Sequence, residues 1–249
     1  MLKKILCSAV LALLMLPASG LMAQTELING IDAAYPPFAF IDKGEAKGFD
    51  IDMINWIAQK KGLNVVHKDI PWESIITTLK EKKINLIASG LSVTEERAQQ
   101  VAFSIPYWKI QQVVLIKNDS TITLDTVLKG GSTIGLQNGT SDLASMEEAI
   151  GVDGRNYTIQ GYQSANLAVE DLVNGRVDAV VMNNPKAEEF LPLFPIKVLG
   201  LAGIPEEEYA VAVSKDDPEL LATINEGLTE LMADPYWQEL LKKWDITNH

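Results

Sequence analysis

The sequence has 249 residues, of which 21 are basic and 33 acidic, giving a formal net charge of −12 at pH 7. Such an acidic surface repels nucleic acids and anionic lipids, and no run of lysine or arginine opposes this. The only histidines are His67 and His249 and the only cysteine is Cys7. We therefore expect no nucleic-acid partner, no His/Cys metal site and no cofactor.

The first 23 residues have the organisation of a secretory signal peptide. Lys3 and Lys4 form the positive start, residues 5–16 the apolar stretch, and residues 21–23 a small-residue cleavage site. The apolar stretch is shorter than the roughly 20 residues that span a membrane. Cleavage near Ala23 would leave 226 residues without cysteine and with a net charge of −14. We expect a free periplasmic protein with no disulfide and no lipid anchor.

Predicted strands and helices alternate along the rest of the chain, which favours parallel sheets covered by helices. The first half has predicted strands over 27–31, 65–66 and 84–88 and predicted helices over 49–61 and 72–81. The second half has predicted strands over 133–137, 157–160 and 177–182 and predicted helices over 140–149 and 164–173. Towards the end, Asp217 and Asp234 precede prolines and are predicted helix caps.

Two extended segments, 111–117 and 208–214, interrupt this alternation. They are rich in β-branched residues and lie about 90 residues apart. One βα set lies between them and another outside them, as expected for two lobes joined by two hinge strands. We predict that residues 24–110 and 208–249 form lobe 1 and that residues 111–207 form lobe 2.

The segment 89–97 carries the clearest chemical signal. It follows a predicted strand and enters a predicted helix near Thr94, and open α/β sheets bind ligands at such strand ends. Free N–H groups, small hydroxyls and Arg97 would suit a carboxylate. The alternative is a simply capped helix with Arg97 paired to Glu96 or another surface acid, and the chemistry alone leaves both open.

The usual catalytic constellations are absent from the sequence. No serine lies in a Gly-x-Ser-x-Gly elbow, and neither histidine has an evident triad partner. The glycines near residues 130–135 lack the spacing of a phosphate loop. We therefore assign no catalytic residue and expect a binding protein rather than an enzyme.

Six motifs together resemble the polar amino-acid family of bacterial extracellular solute-binding proteins. They span, in order, almost the whole mature chain: residues 32–38, 48–52, 89–97, 103–107, 137–141 and 175–181. The resemblance implies an α/β, type II periplasmic-binding fold with the ligand in the cleft between two lobes. It also implies a monomer that delivers an amino acid to the membrane permease of an ABC importer.

The resemblance assigns ligand-binding roles to nine residues. Those implied to hold the α-carboxylate are Arg97, Ser92, Gly90, Thr140 and Ser141, and Ser89 with Gly90 is implied to take the α-ammonium. The side-chain pocket is implied to be lined by Asp32, Tyr35 and Trp72. From the residues alone, the alternatives are that Asp32 only caps a turn and that the two aromatic residues are core residues, although their positions at loop edges favour the wall.

One position departs from the family pattern. Asn183 follows the predicted strand 177–182, where the family usually has an aspartate that pairs with the α-ammonium. A charge-assisted hydrogen bond contributes roughly 1.5–3 kcal/mol and a neutral one about 1 kcal/mol, so affinity would fall about tenfold. Weaker binding, use of Asp32 instead, or a ligand without a primary ammonium all remain open.

The resemblance leaves three functions to compare. The first is capture of a polar or basic L-amino acid, or a close derivative, for import. The second is a cyclohexadienyl (prephenate or arogenate) dehydratase-like enzyme on the same scaffold, for which no acid in the second-lobe motif is an obvious proton donor. The third is a sensor module that docks on a membrane receptor.

Overall fold

The computed structural model describes residues 26–246, so the predicted signal peptide lies outside the described residues. Its helices are α1 (Phe49–Lys61), α2 (Ile75–Lys80), α3 (Glu95–Gln100), α4 (Leu124–Lys129), α5 (Ser141–Ala149), α6 (Ala165–Val173), α7 (Asn184–Phe190), α8 (Pro218–Ala233) and α9 (Tyr236–Lys243). Its strands are β1 (Glu26–Ile31), β2 (Ala34–Tyr35), β3 (Ala39–Asp42), β4 (Glu45–Lys47), β5 (Asn64–Asp69), β6 (Leu86–Ile87), β7 (Ala102–Phe103), β8 (Trp108–Ile110), β9 (Gln112–Lys117), β10 (Ser132–Gln137), β11 (Tyr157–Tyr162), β12 (Ala179–Asn183), β13 (Ile196–Leu201), β14 (Glu207–Tyr209) and β15 (Ala212–Val213). Within residues 26–246, no helix combines the length and the apolar character needed to cross a membrane.

The first sheet has five strands in the order β5-β1-β6-β15-β7. β1 is parallel to β5 and β6, and β15 is antiparallel to β6 and β7. Successive residues of a strand face opposite sides, and here Leu86 packs with α1 and α8 while Ile87 packs with α2. The sheet is therefore buried on both faces, as expected for parallel strands covered by helices.

The second sheet repeats this arrangement with the strand order β11-β10-β12-β9-β13. β10 is parallel to β11 and β12, whereas β9 is antiparallel to β12 and β13. In β12, Val180 packs on the α6 side and Val181 on the side of α4 and α5. We predicted a strand over 177–182. β12 instead covers Ala179–Asn183, and its residues 179–182 are apolar because the strand is buried on both faces.

The chain passes between the two sheets through a short antiparallel pair, β8 with β14. We expected residues 111–117 to be one of the crossing strands. Instead, Gln112–Lys117 is an inner strand of the second sheet, and the paired crossing segment ends at Ile110. The reason is burial, because Val114 and Ile116 pack into the second core. The division into lobes at the predicted residues stays a prediction.

Side-chain caps fix several of the predicted helix starts. Thr94, Thr140 and Ser164 each accept a hydrogen bond from the main chain three residues later. The predicted cap Asp217 does the same for α8. Asp234 accepts from the N–H of Tyr236 at 2.9 Å, but α9 begins one residue after Pro235 rather than at it.

Candidate functional site

A cavity lies between the two sheets at the carboxyl ends of their parallel strands, where α/β sheets bind ligands. It holds about 560 Å³ of space outside the protein atoms, including the part open to solvent. The lining residues are Asp32, Tyr35, Trp72, Ser89, Gly90, Ser92, Gln137, Thr140, Ser141, Asp142, Ala165, Ala168, Val180, Val181, Met182, Asn183 and Lys186.

The structure brings nine of the ten predicted ligand-binding residues together in this cavity. They are Asp32, Tyr35, Trp72, Ser89, Gly90, Ser92, Thr140, Ser141 and Asn183. Arg97 is the tenth and does not line the cavity itself. It lines the adjoining groove, which shares Thr140 and Ser141 with the cavity.

Arg97 is buried between the two sheets, with 7% of its surface exposed. Its Nη1 donates to the carbonyl of Ser92 at 3.0 Å, and its Nη2 donates to the carbonyl of Gly139 at 3.0 Å. The guanidinium also lies over the ring of Trp72, 5.6 Å from its centroid. These hydrogen bonds go to main-chain carbonyls, not to the surface acid that the capped-helix alternative invoked. A guanidinium has five N–H donors, so capacity for a carboxylate remains.

The loop before α5 faces Arg97 from the second sheet. The indole Nε1 of Trp72 donates to the carbonyl of Gly139 at 3.1 Å, so this oxygen accepts from two side chains. Thr140 caps α5 by accepting from the N–H of Leu143 at 3.2 Å. The hydroxyl of Ser141 donates to Oε2 of Glu207 at 2.7 Å. The cap and the first two residues of α5 line the cavity, and a helix N-terminus favours an anionic group beside it.

The loop after β6 is held from below by a buried carboxylate. The N–H of Gly90 donates to Oδ2 of Asp50 at 2.6 Å, and the hydroxyl of Tyr107 donates to the same oxygen at 2.9 Å. Burial raises the pKa of Asp50 to about 7. Gly90 has a φ of +60°, a conformation that favours glycine. Asp50 thus fixes a loop that lines the cavity.

Asp32 caps a turn and also lies in the wall of the cavity. Its Oδ1 accepts from the N–H of Ala34 at 3.1 Å, which makes it a turn cap, and it also lines the cavity. Its own N–H donates to the hydroxyl of Ser89 at 2.9 Å. The hydrogen bond ties the loop after β1 to the loop after β6.

Asn183 already uses its acceptor within the protein. Its Oδ1 accepts from the hydroxyl of Tyr35 at 2.8 Å and from the N–H of Lys186 at 3.2 Å, where it caps α7. The hydroxyl of Tyr35 also lies 2.5 Å from that of Tyr209. An incoming ammonium therefore has to share this oxygen with two donors.

Two charged residues of the cavity, Asp142 and Lys186, were missed from the sequence. Asp142 follows Ser141 in the first turn of α5 and is 5% exposed. Burial, followed by repulsion from Glu207, raises its pKa to about 7. Its place directly after the predicted motif was a usable signal. Lys186 lies three residues after Asn183, and no sequence pattern marks a lysine as buried.

Among residues 26–246, no group of three or more His, Cys, Asp or Glu side chains is placed to hold a metal ion. The chemistry that the cavity offers is consequently hydrogen bonding, charge and aromatic contact. Cationic, anionic and neutral acceptor groups are all represented in its walls.

Comparison with known proteins gives consistent matches along the whole described chain. Residues 27–247 match the model of the family described as bacterial extracellular solute-binding proteins, family 3. A curated relative is the ABC transporter arginine-binding protein 1 of Escherichia coli (strain K12), 30% identical over 97% of this chain and 98% of that protein.

Two solved structures resemble the fold closely. One is the arginine-, lysine-, histidine-binding protein ArtJ from Geobacillus stearothermophilus, with a TM-score of 0.81 and 31% identity over 90% of this chain and 97% of that one. The other is the ancestral amino acid-binding protein AncCDT-1, described as a precursor of cyclohexadienyl dehydratase. Its TM-score is 0.79, with 30% identity over 88% of this chain and 94% of that one.

Proposed function

Since the chain belongs to the bacterial extracellular solute-binding proteins of family 3, we propose that it captures a polar or basic L-amino acid, or a close derivative, and delivers it to the permease of an ABC importer. The observation that carries the proposal is the cavity between the two sheets, where nine of the ten predicted ligand-binding residues meet. The predicted type II periplasmic-binding fold is confirmed by the solved relatives.

The two sheets then correspond to the two lobes of this fold. We propose that lobe 1 comprises residues 24–110 and 208–249 and that lobe 2 comprises residues 111–207. The antiparallel pair of β8 and β14 supports these bounds, because it is the segment through which the chain crosses. Rotation about such a short pair opens and closes the cavity, and closure removes water from the ligand.

The ligand's α-carboxylate belongs at the boundary between the cavity and Arg97. The guanidinium of Arg97 binds this carboxylate with two parallel N–H donors. It does so either after its hydrogen bond to the Gly139 carbonyl breaks or while that bond is kept. The hydroxyls of Ser92 and Thr140 and the N-terminus of α5 line the same region. Burial makes each of these contacts stronger than it would be in water.

The ligand's α-ammonium needs a hydrogen-bond acceptor. Oδ1 of Asn183 can accept from it, but this oxygen already accepts from Tyr35 and from the N–H of Lys186. Asp32 and Asp142 are the two acids of the cavity. Asp142 lies beside the carboxylate-binding loop, so we favour it as the ammonium partner and leave Asp32, with Tyr35 and Trp72, to the ligand's side chain. A carboxylate in this position offsets the missing aspartate at residue 183.

Location and assembly follow from the same proposal. The family is described as extracellular, one relative is named as an ABC transporter protein, and another is named as a periplasmic protein. We propose that residues 1–23 act as a signal peptide cleaved near Ala23, and that the mature protein is a periplasmic monomer that binds no nucleic acid. The composition supports this, with no cysteine after Cys7 and a net acidic charge.

The experiment is a ligand screen on the mature chain, residues 24–249. Each common L-amino acid, with cystine, ornithine and citrulline, is added at millimolar concentration and the thermal midpoint is measured. A ligand at 100 times its Kd stabilises the folded state by about 2.7 kcal/mol, which raises the midpoint by several degrees. The D-enantiomers serve as controls. If no L-amino acid shifts the midpoint, the proposal is wrong.

A second candidate function is supported by the position of Asp142. The sequence offered no obvious proton donor for a dehydratase-like enzyme, but the structure places this buried acid in the cavity with a pKa of about 7. A carboxyl group that keeps its proton near neutral pH can donate it to a leaving hydroxyl. Turnover of prephenate to phenylpyruvate, lost in Asp142→Asn, would favour this function over capture; no turnover leaves the chain a binding protein.

A further inference from the structure

Lys186 is a buried cation in the wall of the cavity. It lies in the first turn of α7, is only 3% exposed, and belongs to the lining residues. Lysine is almost never buried to this extent without partners, because removing an ammonium from water is costly. The groups that surround its ammonium therefore indicate which ligand groups this part of the cavity can bind.

The ammonium of Lys186 has one partner on its own helix and one on the short strand β2. Its Nζ donates to the carbonyl of Ala34, in β2, and to Oε2 of Glu189 at 3.0 Å. An ammonium carries three donors, so one remains beyond these two. Burial lowers the pKa of Lys186, while the charges of Glu189 and Asp32 oppose that shift.

Aromatic rings complete the surroundings of this cation. Nζ lies 5.4 Å from the centroid of the Tyr35 ring and 5.1 Å from that of Phe190. Such distances are within the range of cation–π attraction. Tyr35 and Asp32 are also the residues to which the sequence assigned the ligand's side chain. The ammonium of Lys186 thus occupies the aromatic and acidic environment that would otherwise bind a cationic group of the ligand.

A cationic side chain of a ligand in this part of the closed cavity would lie near the positive charge of Lys186. Two positive groups a few ångströms apart repel strongly when water is excluded, and the desolvation cost adds to the repulsion. The carboxylates of Glu189 and Asp32 offset part of the lysine charge, whereas Asn183, on the strand that leads into α7, adds no further negative charge. A ligand group that accepts a hydrogen bond has the opposite effect, since it can take the third N–H of Lys186.

We propose that Lys186 is a specificity-determining residue that restricts the ligand to amino acids without a cationic side chain and favours an amide or carboxylate acceptor at the end remote from Arg97. The inference rests on the proposed function and narrows it. Among polar amino acids, glutamine, glutamate and their close analogues have this chemistry, whereas arginine, lysine and ornithine do not.

Titration calorimetry on the mature chain tests the inference. Wild type, Lys186→Met and Lys186→Gln are titrated with all common L-amino acids, including arginine and lysine. We expect wild type to bind its best neutral or acidic ligand at least tenfold more tightly than arginine or lysine. Removing the charge in Lys186→Met should lower that ratio at least tenfold. Lys129→Met is the matched control, because Lys129 is an exposed lysine of α4 that pairs with Asp125, and it should leave the ratio unchanged.

The outcomes separate the inference from the proposed function. If wild type prefers arginine or lysine, or if Lys186→Met and Lys186→Gln leave the ratio within twofold, the inference is wrong and capture of an amino acid stands. If no amino acid binds to wild type, the proposed function fails and the inference fails with it. If neither substitution yields a folded protein, Lys186 is a structural residue and the specificity role is rejected.

Discussion

The guanidinium of Arg97 donates to the main-chain carbonyl of Gly139 beside the cavity, with a distance of 3.0 Å from Nη2 to the oxygen. Arg97 lies in α3, between β6 and β7 of the first sheet, whereas Gly139 follows β10 of the second sheet. The bond thus joins the two halves of the molecule in the place assigned to the ligand's carboxylate. Under the proposed function, a ligand carboxylate would compete with this carbonyl or join it, so we expect Arg97 to act in both closure and binding.

Replacement of Arg97 by alanine should therefore abolish tight binding. Two charge-assisted hydrogen bonds to a carboxylate contribute roughly 1.5–3 kcal/mol each, so we expect affinity to fall at least about a hundredfold. Titration calorimetry with the ligand found in the screen measures the loss. Circular dichroism checks that the variant is folded.

Arg155 provides a matched control for this substitution. Its guanidinium also donates to two main-chain carbonyls, those of Ala202 at 2.9 Å and Gly203 at 2.7 Å, but it does not line the cavity. Arg155→Ala should cost stability while leaving affinity within about twofold. Equal losses of affinity in the two variants would reject the role of Arg97.

Restoring an aspartate at position 183 should strengthen the binding of ligands that carry an α-ammonium. Asparagine and aspartate cap helices equally well, so the bonds from Tyr35 and from the N–H of Lys186 persist. The added charge makes the ammonium contact charge-assisted, and we expect about tenfold tighter binding in calorimetry.

The neighbouring Asn184 allows the control Asn184→Asp. Its Oδ1 accepts from the N–H of Gln111 at 3.0 Å, and it is not a lining residue. This variant should bind as wild type does. Unchanged or weaker binding by Asn183→Asp would show that the ammonium lies elsewhere, for example against Asp142.

Much of this site could be predicted from the sequence because its residues lie in short local patterns. Helix caps, strand ends and turn residues place side chains at the carboxyl edge of a parallel sheet, and residues 89–97 show all three. Two such edges facing each other across one cavity account for nine of the ten predicted residues. The family resemblance supplied the roles that these signals alone left open.

The residues that escaped prediction are the buried charges. Lys186 looks like any helix lysine in the sequence, and its burial depends on the approach of Ala34 from 152 residues away. The position of Arg97 outside the cavity depends in the same way on Gly139, from the other sheet. The inner position of β9 was likewise missed, because an extended apolar segment does not reveal which sheet it joins.

Gly90 should tolerate no side chain. A Cβ there would collide with the ring of Tyr35 and would lie 3.1 Å from Cε2 of Tyr209. Gly90→Ala should lower the free energy of unfolding by about 1–3 kcal/mol more than the backbone strain alone, because these buried rings must shift. We also expect weaker ligand binding, since Tyr35 is a wall residue. Urea denaturation and calorimetry give the two values.

Gly44 separates the collision from the backbone strain. It has a φ of +85°, and nothing lies within 4 Å of a Cβ built on it. Gly44→Ala therefore incurs the cost of a left-handed residue, about 1–2 kcal/mol, without a clash. Equal destabilisation by Gly90→Ala and Gly44→Ala would mean that the rings around Gly90 shift at little energetic cost.

Asp50 should make the stability of the protein depend on pH. Its carboxyl group is buried beneath Gly90, and burial raises its pKa from 3.8 to about 7. Between these two values the folded state holds a proton that the unfolded state has released, so stability falls as the pH rises from about 4 to about 7. A shift of about three pKa units corresponds to at most about 4 kcal/mol.

Asp50→Asn removes this titration while keeping the contacts. The asparagine oxygen can accept from Gly90 and Tyr107, and the amide takes the place of Oδ1, which has no hydrogen-bond partner among the described residues. Urea denaturation at about pH 5 and about pH 8 should show wild type losing stability relative to the variant at the higher pH. Groups such as His67 and Asp142 titrate in both proteins, so their contributions cancel in the difference between the two free energies of unfolding.

Asp178→Asn is the control for this substitution, because Asp178 is exposed and also accepts a main-chain N–H, that of Thr133 at 2.8 Å. A difference between wild type and Asp50→Asn that stays constant with pH would mean that Asp50 remains ionised in the folded protein.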